Sequence, residues 1–120
     1  MLNTHRFMLD MNEQTSMVYV TVRKGDTGQR ISAALRSGES PFDLSDVATA
    51  VLAATIPAGT HINTNGTVDD EKGVVEVAIP ATLTAAVGAV ECNFVLTGSS
   101  GGLLKTPPFR IIVQDAPDAS

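Results

Sequence analysis

A chain of 120 residues has room for one core and not two, and such a domain buries about two-thirds of the surface its unfolded chain exposes. Its 13 acidic against 8 basic residues give a net charge of −5, and the basic residues are scattered with no aromatic stacking platform, which argues against nucleic acid as a partner. The single cysteine, Cys92, excludes an internal disulfide, so stability does not depend on an oxidising compartment.

Arg6 and Asp10 interrupt the N-terminal segment where a secretion signal needs an unbroken apolar stretch. Residues 47–68 carry no formal charge, yet Thr55, Pro57, Gly59, Thr60, Asn63, Thr64, Asn65 and Gly66 are too polar or too helix-breaking for a membrane span. The chain therefore reads as a soluble protein made in the cytoplasm, with no membrane partner.

In chain order, residues 5–11 come first: Phe7, Leu9 and Met11 alternate with Arg6, Met8 and Asp10, the period-2 pattern of a short strand. A segment so near a terminus frays unless something pairs with it, so an arm docked on the sandwich edge or on a neighbouring subunit is expected. After a polar turn at 12–16, residues 17–23 place Val18, Val20 and Val22 on one face and Met17, Tyr19, Thr21 and Arg23 on the other. Lys24, Gly25, Asp26, Thr27 and Gly28 then form a turn, in which Gly25 tolerates a positive φ and Asp26 bonds forward to a backbone N–H. The run at 30–36 follows at once, so strand, turn and strand are expected to make a hairpin-like unit.

Residues 37–43, with Gly38 and Pro41, read as a loop. Residues 45–56 admit two readings. Ser45 could cap a helix with Val47, Val51 and Ala54 along one side, and the alanines favour that state. Thr49, Val51, Thr55 and Ile56 are β-branched, however, and Ala50, Leu52, Ala54 and Ile56 alternate cleanly; with strands as neighbours, strand is expected. Residues 63–73 form a polar connection holding Asn65-Gly66 and Asp69-Asp70-Glu71-Lys72-Gly73, with a hairpin turn within it.

Residues 74–79 direct Val75, Val77 and Ile79 inward, Pro80 ends the strand, and 81–87 read as a helical turn carrying Leu83 into the core. Gly88 opens a strand at 89–96 whose inward phase holds Val90, Cys92, Phe94 and Leu96, so Cys92 reads as a small buried hydrophobe, not a reactive thiol. A Gly-Ser loop at 98–102 leads through Thr106-Pro107-Pro108 to a last strand with Phe109, Ile111 and Val113 in phase. The pattern predicts an all-β, two-sheet sandwich of about seven to nine short strands, a single domain over residues 1–115 with a tail at 116–120.

Chemistry-bearing constellations are scarce. His5 and His61 have no second ligand three to five residues on, so no metal site is expected at either. Asn63, Asn65 and Gly66 superficially suggest a calcium loop, but alignment on the glycine puts His61 at the first ligand position and Lys72 at the last, where carboxylates are needed. Asp69, Asp70 and Glu71 read as a solvated turn. Lys24-Gly25-Asp26 looks like a short adhesion tripeptide, and its turn chemistry already explains it. No nucleophile elbow, paired carboxylates or phosphate-binding glycine loop is present, so no enzyme, catalytic residue or cofactor is expected.

The segments FMLDMN at 7–12, VTVRKGDTG at 20–28, Phe42-Asp43-Leu44, IPAG at 56–59, KGVVEVAIP at 72–80, VGAVECNF at 87–94 and TPPFRIIV at 106–113, taken in order and spacing, resemble the N-terminal domain family of phage baseplate upper proteins. The resemblance spans roughly residues 5–115. It departs at 56–59, where the family looks like Lys-Pro-Asp-Gly and this chain has Ile56 and Ala58 in place of the charged pair.

The resemblance implies an immunoglobulin-like sandwich without catalysis: a virion structural protein, made in the host cytoplasm, whose partners are other virion proteins at the tail baseplate. Virion symmetry implies a homo-oligomer, though no residue declares the partner interface. Such proteins usually continue into a helical or fibre-bearing region, so a chain of this length is expected to be a stand-alone adaptor or to rely on a companion. A capsid decoration protein or head-fibre base is the alternative of the same class. A carbohydrate-binding adhesin is the next, disfavoured by the lack of tryptophan and by Tyr19 being the sole tyrosine.

Overall fold

The computed structural model describes residues 3–12, 17–26 and 28–115, and every regular element among them is a strand. One sheet runs β1 (Asn3–Asp10), β3 (Gln29–Ser37), β8 (Val74–Ala78), β7 (Thr67–Asp69), with β4 (Ser40–Pro41) also paired to β3. The other runs β2 (Val18–Arg23), β11 (Phe109–Gln114), β9 (Gly88–Gly98), β5 (Val47–Thr55), β6 (His61–Asn65), with β10 (Leu103–Lys105) also on β9. The two sheets face each other across one apolar core, the sandwich expected. The described strands number 11, the surplus over the expected count being the two- and three-residue strands β4, β7 and β10.

Period-2 alternation builds that core. Val20 and Val22 of β2, Ile31 and Leu35 of β3, and Val75 and Val77 of β8 are all buried, as are Val90, Cys92, Phe94 and Leu96 along β9. The ambiguous stretch at 45–56 is a strand, and Ala50, Leu52 and Ala54 are its buried set. Tertiary pairing with β9 on one side and β6 on the other outweighs alanine's helical preference. Phe109 lies at the centre, with ring centroids 5.6 Å from Phe94 and 5.0 Å from Phe7 of the opposite sheet.

β1 is a true strand, paired parallel to β3 along its whole length, with Leu9 fully buried. The hairpin expected from β2, the glycine turn and β3 does not exist, because the two strands belong to different sheets. β2 pairs parallel with β11, while β3 lies between β1 and β8. Alternation reports which face is buried and not which neighbour supplies the hydrogen bonds, so two strands stacked about 10 Å apart read the same as two strands paired side by side. The connecting turn instead bridges the layers: Lys24 N–H donates to Gln114 O and Gly25 N–H to Thr84 O.

A second glycine has a comparable part. Asn65-Gly66 is no hairpin turn but the corner at which the chain leaves one sheet after β6 and enters the other at β7. Gly66 N–H donates to Ala50 O at 2.8 Å, and a Cβ at Gly66 would sit 2.7 Å from the Glu76 carbonyl oxygen. Glycine is needed there for close backbone approach. The hairpin turn in this connection lies at 69–73, where Asp69 Oδ1 accepts from Lys72 N–H and Gly73 has φ +68°.

Residues 81–87 hold overlapping turns instead of a helical segment, with Leu83 N–H on Pro80 O and Thr84 N–H on Ala81 O, and Leu83 is buried as expected. Between β10 and β11, Pro107 and Pro108 cannot donate to β9, and Thr106 makes good the break. Its N–H donates to Phe94 O, and its hydroxyl oxygen accepts from Phe94 N–H at 3.0 Å. The tail at 116–120 and most of the polar turn at 12–16 lie outside the described residues.

Candidate interaction surface

The residues singled out by chemistry do not converge. His5 on β1 bonds Gln29 at 2.7 Å, while His61 on β6 in the other sheet bonds Thr55 at 2.9 Å. Among the described residues, no group of three or more His, Cys, Asp or Glu could hold a metal ion. Asn63 and Asn65 lie on the exposed side of β6 and not in a loop. Asp26 turns back on its own turn, its Oδ2 accepting from Arg23 N–H at 3.1 Å and from the Gln29 side chain at 3.4 Å.

Cys92 is buried, and burial pushes its thiol up to about 12; the backbone bond that favours the thiolate is outweighed. Asp43 is the contrasting case. The Ser45 side chain and backbone N–H both bond its carboxylate, and they hold it below the usual aspartate value. The resulting Asx turn fixes the entry to β5.

What the described residues do present is extended strand surface and open grooves. On the outer face of the β9 sheet, register lines up Tyr19, Arg110, Glu91, Thr55 and His61 in one row across five strands. Arg110 and Glu91, directly opposed, form an ion pair at 2.6 Å. Beside that row, Ala53 stands between Asn63 and Asn93, and its small side chain leaves an open groove of about 580 Å³.

A smaller groove of about 290 Å³ is apolar, and Phe42, Val47, Leu96, Leu103 and Leu104 help to line it. Leu103 is 70% exposed and Met8, on the outer face of β1, 60%. Among the described residues, no helix is long and apolar enough to cross a membrane.

The sequence profile of the BppU N-terminal domain matches residues 4–119. The chain belongs to the BppU N-terminal domain family. It is therefore a phage baseplate-related structural domain, of a family of structural proteins that are generally non-enzymatic. Among solved structures, the N-terminal domain of phage TP901-1 ORF48 superposes with a TM-score of 0.70 at 16% identity, covering 94% of this chain and 99% of that one. At that identity the likeness speaks for the fold. No curated protein sequence matches.

The family's departure at 56–59 leaves the turn itself intact. Gly59 N–H donates to Ile56 O, Ile56 N–H donates to Thr60 O, and Gly59 has φ +92°, a type I turn closed by a glycine bulge. The substitutions change what the turn displays: Ile56 packs partly against the core, and Ala58 is exposed. Met8 lies outward with Arg6, on the face where its alternation with Phe7 and Leu9 put it, but sequence reading singled out neither Leu103 nor Leu104, because β10 is too short to show a phase.

Proposed function

We propose that this domain is a non-enzymatic adaptor of the phage tail baseplate, attaching or organising receptor-binding appendages through protein–protein contacts. The family membership over residues 4–119 carries this reading. A sandwich in which Asp26 and Asp69 bond within their own turns and Arg110 pairs with Glu91 across two strands suits a part that works by shape. Its location would be the virion tail and its partners other virion proteins.

Electron microscopy of virions labelled with an antibody to this domain tests the reading. Label at the distal end of the tail, and particles lacking the appendages when the gene is deleted, are the expected results. Label on the capsid, or normal appendages on the deletion particles, would overturn it.

A further inference from the structure

Two apolar features of the surface lie unused by the fold. The first is the groove beside β10. Leu104 stands opposite Leu96 in the register and shares its inward phase, yet Leu96 is buried and Leu104 is 44% exposed. β10 is a three-residue strand paired with β9 alone, so its inward side chain reaches the margin of the core and not its interior. With Phe42, Val47 and Leu103 it leaves an apolar groove of about 290 Å³, room for one side chain. Asp43 and Asp46, both exposed, also line this groove, and no lysine or arginine does.

The second feature is Met8. Phe7 and Leu9 on either side of it face the core, and Met8 points out from β1 at 60% exposure. The residue opposite it on β3 is Ala34, whose single methyl leaves the thioether side chain standing above the sheet. Arg6 shares that outer face and is exposed, opposite the small Ser32, and Arg30 lies diagonal to it on β3 in the same phase. Among the described residues, neither arginine is in an ion pair.

An apolar knob beside two cations matches an apolar groove beside two carboxylates, in size and in sign. Methionine is unbranched and adapts to an irregular groove. Tyr19, also exposed, fits less well: its neighbour Arg110 is already paired with Glu91, and the groove would leave its hydroxyl without a partner. We propose that Met8 of one copy enters the β10 groove of a second copy, with Arg6 and Arg30 meeting Asp43 and Asp46 across the contact. Knob and groove are different patches of the same chain, so the contact is head-to-tail, and every added copy brings a fresh knob or a fresh groove. One side chain and its flanking charges make a small, reversible interface. Nothing in it depends on the backbone edge of β1.

Sedimentation of the intact chain over a range of concentrations tests this. The expected result is reversible growth past two copies, in steps of the 12.5 kDa chain mass. Met8→Glu brings a carboxylate to Asp43 and Asp46, and Leu103→Glu spoils the groove from its own side; each should weaken association about thirtyfold or more. Arg6→Glu should weaken it about fivefold. Met8 and Leu103 are mostly exposed, so the melting curve of either variant should match that of the parent chain, which separates a lost contact from a lost fold. The deciding sample is a mixture. The Met8→Glu copy keeps its groove and the Leu103→Glu copy keeps its knob, so together they should form a one-to-one pair and grow no further.

A chain that stays monomeric at its highest soluble concentration overturns the proposal. So does growth that stops at two copies, association that either variant leaves unweakened, or a mixture of the two variants that stays monomeric. A monomeric chain that Leu103→Glu nonetheless removes from virions would give the groove to another virion protein and overturn a second copy as its occupant. The inference does not rest on the tail reading. A monomer found on tails removes this proposal alone, and self-association in a protein absent from tails removes the other alone.

Discussion

Phe7 is the side chain by which the N-terminal strand grips the opposite sheet, and its loss should be felt in Phe109. The Phe109 ring is fully buried between Phe7, 5.0 Å away, and Phe94, 5.6 Å away. Truncating it to Ala removes a large core side chain and should cost about 3–5 kcal/mol. Phe7 is only partly buried, and Phe7→Ala should cost about 2 kcal/mol.

Because the rings touch, the two losses are not independent: the double variant should be less destabilised than the sum of the singles by ~1 kcal/mol. A small domain has only about 5–15 kcal/mol in total, so Phe109→Leu serves in place of Ala if the latter does not fold. With no tryptophan and an exposed Tyr19, urea unfolding is followed by far-UV circular dichroism. An unchanged midpoint for Phe7→Ala, or strict additivity in the cycle, would show that β1 does not dock as described.

Gly66→Ala forces a methyl group against the Glu76 carbonyl, and Gly88→Ala places one 2.6 Å from the Pro57 ring at φ +141°; each should lower the melting temperature, whereas Gly102→Ala, with open space around it, should not. Cys92 should react with thiol reagents at neutral pH only after denaturation, because burial raises its pKa to about 12; stoichiometric labelling of the folded chain would contradict its placement. Asp43 should titrate below the ordinary aspartate value of 3.8 in a side-chain NMR titration. A depressed folded value means that its contribution to stability is present above 3.8 and lost as pH falls through the lower, folded pKa; Asp43→Asn should flatten that part of the acid limb, and a titration at or above 3.8 would contradict the Ser45 bonds.

Inward faces were legible in the sequence because a strand buried on one side must alternate, and Val75, Val77, Phe94, Phe109 and Ile111 all follow that rule. Sheet membership was not. The turn at 24–28 and the corner at Gly66 carry the glycine signals of hairpins, yet both move the chain between layers, since hydrogen-bonding partners are chosen by strands far away in sequence. The surface was less legible still. Ala53 becomes a groove floor only once β6 and β9 bring Asn63 and Asn93 to its sides. The family resemblance reached further than periodicity did, because it reads the order of many turns at once.

The place of β11 between β2 and β9 has a consequence for how the domain comes into being. The strand made last in its sheet is neighbour to the one made first, and β2 has no partner in that sheet until residues 109–114 exist. At about 5–20 residues per second of synthesis, Val20 and Val22 wait for seconds with their backbone edge unsatisfied, so folding must close from the C-terminal side in one late step. A chain truncated after Lys105 should remain fully protease-sensitive while one ending at residue 115 resists; protection in the shorter chain would mean that the β9 sheet can stand without the strand that joins β2 to β9. The fold is in this sense a lock whose bolt is the strand at 109–114.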